Sequence, residues 1–499
     1  MTGFLSRAER RRLRPAETAS FAGPVPTQIV SSDEYAPEPQ TEQQRAVEAR
    51  IKALGTRMAK RLGITRRAFF ASSAGMAASF LAMNEVYGAL FETSAAEAST
   101  PELAEERARL LREQFVFDCH THFLRDDTRL SAFARMRAAV GDAGWNPELA
   151  GKPQTLDDLK FNNYYKELYL DSDTKVALIS SAPSDIPRDW FLTNEMMASA
   201  RERVNKAAGS RRMLAHAVFT PGQPDWLEKV DHALALKPDS MKGYTIGDNT
   251  HKDTSRYPWL MDDEQVTYRG YERFDRAGMR IVCVHKGLFP PSVERQFPRL
   301  RPYVDVHDVG KAARDWPHFK FVIYHSGYRH TGSVHAPDVA MVQLEQTGRV
   351  EWVSDLAEIP ERYGVSNVYG DLGQLFAYSI VSHPRLAAYM MGALIKGLGV
   401  DHVVWGTDAL WTGSPQWQIE GLRRLEIPED MQRRFGFAPL GPADGPVKRA
   451  IFGGNSARMY DYPLHHGPWQ ADRFASHKQQ YLAAGGLRSN LRFGYVAAG

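Results

Sequence analysis

Phe115-Val116-Phe117-Asp118-Cys119-His120-Thr121-His122 is a short apolar run that ends in two histidines one residue apart. Its first residues have the aromatic and β-branched character of a buried strand. On an extended chain, side chains two positions apart share a face, so His120 and His122 point the same way. The pattern recurs downstream. Further apolar runs lie at Lys175–Ser180, Leu214–Phe219, Ser240–Tyr244, Arg280–Val284, Phe319–Tyr324, Ser366–Gly370 and His402–Gly406. Between them fall stretches of helical period, among them Thr193–Ala207, Trp226–Leu236, Glu264–Ala277 and Arg385–Leu398. Eight strand candidates alternating with helices predict an α/β fold of the TIM type, a (β/α)8 barrel. An open doubly wound sheet would produce part of this rhythm, but the count of eight favours closure.

In such barrels the chemistry sits where strands end, on the C-terminal face. Four of the eight runs end informatively. The first gives His120 and His122, the fifth Val284-His285-Lys286-Gly287, the sixth Tyr324-His325-Ser326-Gly327, and the eighth Gly406-Thr407-Asp408. Imidazoles with one carboxylate suit Zn2+ or another first-row divalent cation. A lone His-x-His recurs by chance in long chains; histidines and an aspartate at three further strand ends turn the pair into a metal site. Only two cysteines occur, Cys119 and Cys283, so a cysteine zinc site and a disulfide framework are both excluded.

These motifs resemble the amidohydrolase superfamily: Phe117 to His122, Val284-His285, Tyr324-His325-Ser326-Gly327 and Trp405-Gly406-Thr407-Asp408. They are most similar to its amidohydrolase-related branch, with aminocarboxymuconate semialdehyde decarboxylase and resorcylate decarboxylases. Gly453-Gly454-Asn455-Ser456-Ala457-Arg458 resembles that branch's closing helix, and the likeness spans roughly residues 112–462. The resemblance implies that His120, His122, His285 and Asp408 hold one divalent metal, Zn2+ first, with Mn2+ or Fe2+ as alternatives. It implies that His325 donates or accepts a proton beside the metal, and that Asp408 doubles as a base. Lys242 stands where binuclear members carry a bridging lysine, which would complete a two-metal site with His325.

The implied activity is hydrolysis of a small organic molecule, carboxylated or aromatic, through a metal-activated water. The alternatives are non-oxidative decarboxylation on the same site, a dinuclear-metal oxygenase, or a non-catalytic barrel subunit. Lys286 and Arg329, close to the histidines, are candidates for binding a substrate carboxylate. Asp118 is expected to orient the His-x-His strand, and Cys119 to be core. A formal net charge of +3 on 499 residues, with 24% charged, gives no basic face for nucleic acid.

The domain reading has three parts: residues 1–98, the barrel domain 110–462, and a tail 463–499. Residues 1 to about 60, rich in Arg, Glu, Gln and Pro, read as disordered or loosely helical. Thr65-Arg66-Arg67-Ala68-Phe69-Phe70, an apolar run from Ala71 to Met83 and Ala96-Glu97-Ala98 then resemble a twin-arginine export signal with its cleavage site. That reading expects the export machinery as a partner, a periplasmic product beginning near Ser99 and no stable membrane anchor; without it the chain stays in the cytoplasm. An insertion from Leu124 to about Leu170, carrying Trp145, Tyr164, Tyr165 and Tyr169, and the tail are expected to act as lids or as homo-oligomer contacts.

Overall fold

The structure is a computed structural model that describes residues 4–5, 23–29, 35, 40–144, 150–151, 153–331, 336–464 and 472–487. Trp145 lies outside the described residues. Eight strands run in sequence order around one sheet, each parallel to the next. They are β1 (Phe117–Thr121), β2 (Val176–Ile179), β3 (Met213–Phe219), β4 (Ser240–Tyr244), β5 (Ile281–His285), β6 (Lys320–Tyr324), β7 (Val368–Asp371) and β8 (Val403–Val404). Backbone bonds close the cylinder: Cys119 N–H donates to Trp405 O at 3.0 Å, Asp408 N–H to His120 O at 2.9 Å and His122 N–H to Ala409 O at 2.6 Å. The chain is a (β/α)8 barrel.

β5 and β7 run one residue further than the apolar runs suggest and β1 two, while β8 stops two residues short of its run. Polar residues at the C-terminal ends, such as His120, Thr121, His285 and Asp371, keep the ladder because it is the backbone that pairs. The register of β1 against β2 slips between Asp118 and Thr121. Such an irregularity re-aims the side chains that follow it, and barrel rims collect them.

The segment before β1 is built differently from its composition. It forms α1 (Glu42–Leu62), α2 (Arg66–Phe70), α3 (Ser73–Tyr87), α4 (Ala95–Ser99) and α5 (Pro101–Leu111). A capping box of Thr41 and Gln44 starts α1, and left-handed Gly63 ends it. Its buried residues Val47, Ile51, Leu54 and Met58 make a stripe with helical spacing. That stripe is thin among many charges, so composition leaves disorder open beside loose helix up to about residue 60, and the structure makes residues from Glu42 helical.

The apolar run after Arg66-Arg67 becomes α3, whose Ala77, Ala78, Phe80 and Ala82 are wholly buried. They share one continuous core with barrel residues such as Leu386, Ile419 and Leu422. No helix among the described residues is long and apolar enough to cross a membrane. Residues 90–92 are stitched to 424–426. Phe91 bridges Leu425, Glu92 N–H donates to Arg424 O at 2.7 Å, and Glu426 N–H donates to Leu90 O at 2.8 Å. The boundary expected at residue 98 falls inside α4.

The insertion folds into short helices, including Ser131–Asp142 and Phe161–Tyr165, and the tail contributes the helix Arg473–Ala483. Each uses the other. Phe474 packs on Tyr165 and Tyr169, and Tyr481 donates to Asp171 at 2.6 Å. Tyr164, Tyr165 and Tyr169 of the insertion are buried within the chain.

If α3 belongs to the barrel's core, Phe80→Ala in the full chain lowers the unfolding free energy by about 3 kcal/mol. Urea denaturation reads this out, and an unchanged midpoint would detach α3 from the core.

Candidate metal centre

Closure of β8 on β1 assembles the centre. Asp118, wholly buried, accepts at Oδ1 from the backbone N–H of His120 and of Thr407, both at 3.1 Å, and at Oδ2 from the Thr407 hydroxyl. Burial pushes its carboxyl up to about 8, and these donors oppose that shift. Asp118 therefore staples the two strands that carry the histidine pair and Asp408, the orienting role expected of it. Gly406 precedes that staple, and a Cβ there would collide with Asp371 and with His120. Only glycine allows β8 this close.

Two imidazoles converge on one carboxylate oxygen. His120 Nε2 and His122 Nε2 each lie 3.2 Å from Asp408 Oδ1. Their other nitrogens are committed: His120 Nδ1 lies 2.9 Å from Asp371 Oδ2, and His122 Nδ1 lies 3.1 Å from the Ser180 carbonyl oxygen. Both partners are acceptors, so both Nδ1 atoms carry the proton and a neutral ring leaves a lone pair on Nε2. Burial enforces the neutral form, holding His120 far below the ordinary imidazole range and His122 down to about 3; neighbouring Lys242 adds to both shifts. His120 Nε2 is buried with no hydrogen-bond partner. Lone pairs facing a carboxylate oxygen at 3.2 Å with no donor between them repel unless a cation stands among them. The donor set, two nitrogens and an oxygen, suits a first-row divalent ion. The residues fit a metal.

His325, His120 and Asp408 form a group whose candidate ligand atoms all lie within 4.8 Å of one another; the expected ligand His122, though 3.2 Å from Asp408 Oδ1, is outside that group. The protonation of His325 differs, however. His325 Nδ1 accepts the backbone N–H of Gln374 at 3.0 Å, so in the neutral ring, which burial again favours, the proton sits on Nε2. His120 and His122 thus offer lone pairs where His325 offers a donor. The backbone marks the same residues: His325, Ser326 and Asp408 have φ of 59°, 47° and 56°, left-handed values that cost a non-glycine residue about 1 kcal/mol or more. Neighbouring Gly373 is itself at positive φ, and a Cβ there would press on His325 Nδ1 and Asp371.

The remaining expected residues separate. His285 stacks on Tyr244 and stands edge-on to His325, with ring centres 4.6 and 4.8 Å apart, outside the three-residue group. Lys242 Nζ is buried with no hydrogen-bond partner, 3.2 Å from the centre of the Tyr324 ring, which itself packs 3.8 Å from His120. Burial lowers the ammonium to about 7. Lys286 and Arg329 do not present a free charge to a substrate. Lys286 bonds both oxygens of Asp308 at 2.8 Å, all of it buried. Arg329 pairs with Glu294 and Glu351 and lies over Trp352. A cation carried under a surface needs its own anion, and each has found one.

Two residues of the centre lie outside the sequence motifs. Asp371, the last residue of β7, receives His120 Nδ1–H and, at 3.1 Å, the backbone N–H of His325. Burial pushes its carboxyl up to about 7. It directly follows the seventh apolar run, so the strand-end rule applied there would have found it. Gln374 donates its backbone N–H to His325 and its amide Nε2–H to Asp408 Oδ2 at 2.8 Å; no local pattern announces it.

Buried imidazoles and a carboxylate gathered on the C-terminal face of a closed eight-stranded barrel define a class of metal-binding barrel enzymes. Within that class the chain belongs to the amidohydrolase family, whose model matches residues 117–462. No curated protein sequence matches it. Among solved structures it is similar to an uncharacterized TIM-barrel protein from Bordetella bronchiseptica, with 13% identity over 70% of this chain and 98% of the other and a TM-score of 0.44. It is also similar to 5-carboxyvanillate decarboxylase from Sphingomonas paucimobilis, with 13% identity, 70% and 99% covered and a TM-score of 0.38. An amidohydrolase from Burkholderia multivorans has 15% identity, 70% and 100% covered and a TM-score of 0.40.

Breaking the Lys286–Asp308 pair tests the assignment of Lys286. Lys286→Met leaves a buried carboxylate unpaired and lowers stability by about 3 kcal/mol, while KM for any substrate stays within twofold. A large rise in KM at unchanged stability would return Lys286 to the substrate site.

Proposed function

We propose that the chain is a metal-dependent hydrolase of a small organic substrate, carboxylated or aromatic, working at one divalent cation, Zn2+ first. The observation that carries this reading is the split of tautomers: lone pairs at His120 Nε2 and His122 Nε2 around Asp408 Oδ1, and a proton at His325 Nε2. His120, His122 and Asp408 would hold the cation, with His285 as the outlying fourth donor. When bound, such a cation supplies Lewis acidity, polarising a substrate oxygen or making a water acidic near neutral pH.

The rest is done by the chain's own groups. Asp371 keeps the Nδ1 proton on His120 and so turns the Nε2 lone pair toward the centre. The Gln374 amide holds Asp408 Oδ2, which fixes the plane of the carboxylate while Oδ1 faces the histidines. His325 offers its Nε2–H as a hydrogen bond to the substrate atom on which negative charge develops, and the Gln374 backbone N–H, bonded to Nδ1, holds the tautomer that places the proton there. Lys242 enters no ligand set in this reading, because its ammonium rests on the faces of Tyr324 and Tyr244. A dinuclear oxygenase would have to draw it off those rings.

Non-oxidative decarboxylation is the second reading, and the burial of the centre favours it: His120, His122, His325 and Asp408 are each no more than 2% exposed. A site so closed to water strips the hydration from a substrate carboxylate. A panel of aromatic carboxylates, lactones and amides, assayed in 18O-labelled water with CO2 collected, separates the two. Label in the organic product without CO2 supports hydrolysis, and CO2 release with no label in the organic product supports decarboxylation.

The hydrogen-bond-donor role of His325 makes a separate prediction. His325→Asn is expected to lower kcat by about 10²–10⁴-fold while metal analysis still finds the wild-type cation content. Loss of the cation in this variant would make His325 a ligand instead.

A further inference from the structure

The segment before the barrel reaches the metal centre. Tyr35, far from every motif in sequence, is 6% exposed, and its Oη donates to Gln374 Oε1 at 2.7 Å. Its ring meets Tyr378, one turn beyond Gln374 on the helix Gly373–Ser379, edge to face at 5.2 Å. Gln374 is wholly buried and binds Asp408 through its amide and His325 through its backbone.

The amide has a single workable orientation. Asp408 accepts only, so the NH2 group must face it, and Oε1 must then face a donor. Tyr35 is that donor. A flipped or drifting amide would set Oε1 against Asp408 Oδ2 and turn the carboxylate that faces His120 and His122.

The chain on both sides of Tyr35 is anchored as well. Glu48 of α1 accepts from Thr27 Oγ1 at 2.9 Å and from Gln40 Nε2 at 2.6 Å, which ties residues before and after Tyr35 to one helix. Val25 and Ile29 are buried in the shared core. Lower down, Arg424, 2% exposed, pairs with Glu97 through both oxygens at 2.6 and 3.0 Å and lies over Phe80. Cleavage after Ala98 would remove Tyr35, Glu48, Phe80 and Glu97 together, leaving Arg424 with Glu420 alone of its two carboxylate partners.

We propose that residues 23–98 stay in the working enzyme and that Tyr35 is a positioning residue of the metal centre, acting through Gln374 on Asp408. This rests on the reading of that centre as a cation site. Export through the Arg66-Arg67 motif, if it occurs, would carry the segment along uncleaved.

The test uses the full chain, made without an N-terminal tag in a host with a working twin-arginine pathway. Intact-mass analysis of the folded, cation-loaded protein is expected to retain Tyr35; a cation-binding product that begins at Ser99 overturns the proposal. Tyr35→Phe keeps the ring and its packing on Tyr378 and removes only the hydroxyl. Its melting temperature should stay near that of the wild type while Co2+ affinity, measured against a competing chelator, falls about tenfold, the scale at which groups supporting metal ligands act. The visible Co2+ spectrum should shift with it. Wild-type affinity and an unchanged spectrum in Tyr35→Phe overturn the positioning role alone, whereas a wild-type protein that binds no Co2+ or Zn2+ overturns the cation reading beneath it.

Discussion

The seam between β8 and β1 is the constraint on which the rest of the molecule depends. Nearly three hundred residues separate its two strands in sequence, and the contacts that join them also join the functional groups. Asp118 binds backbone from both strands, so the carboxylate that closes the barrel also sets the spacing of His120, His122 and Asp408. A buried carboxylate is costly unless donors surround it, and donors arrive only when the barrel is closed. Fold and site are thus coupled: an open sheet would leave Asp118 with the His120 N–H alone and the histidines without Asp408.

The groups that bond the far side of each imidazole convert that nest into distinct chemical roles. Chemically identical imidazoles become different because of what lies behind them. An acceptor behind His120 or His122 leaves a lone pair in front, and a backbone N–H behind His325 leaves a proton in front. Asp371 and Gln374, on either side of the β7 turn, reach all the principal groups except His122. The left-handed backbone at His325 and Asp408 shows where the fold accepts local strain to hold these groups in place.

The barrel was legible because parallel strands buried on both faces read as apolar runs, and helices between them read by period. The strand ends were legible for the same reason, which is how His120, His122, His325 and Asp408 came together before any coordinates. Asp371 directly follows the seventh run and carries the same strand-end signal as Asp408, but no family motif marks it. Lys286 and Arg329 show the opposite limit: position in sequence placed them near the site, while the anions that neutralise them, Asp308, Glu294 and Glu351, come from elsewhere. The helices before β1 were hidden by composition, since a four-residue stripe on a charged helix buries well only against a partner that the sequence does not display. Tyr35 had no signal at all, because its role is defined by Gln374, 339 residues away.

One arrangement decides the chemistry proposed for this centre: lone pairs from His120 and His122 with Asp408 around a cation, and the N–H of His325 beside it. Anomalous diffraction at the zinc edge from Zn2+-loaded crystals of the full chain measures it directly. The predicted peak lies about 2.0–2.2 Å from His120 Nε2, His122 Nε2 and an oxygen of Asp408, with His325 Nε2 beyond bonding distance. A peak bonded to His325 in place of His120 or His122, or one elsewhere in the barrel, would contradict the account.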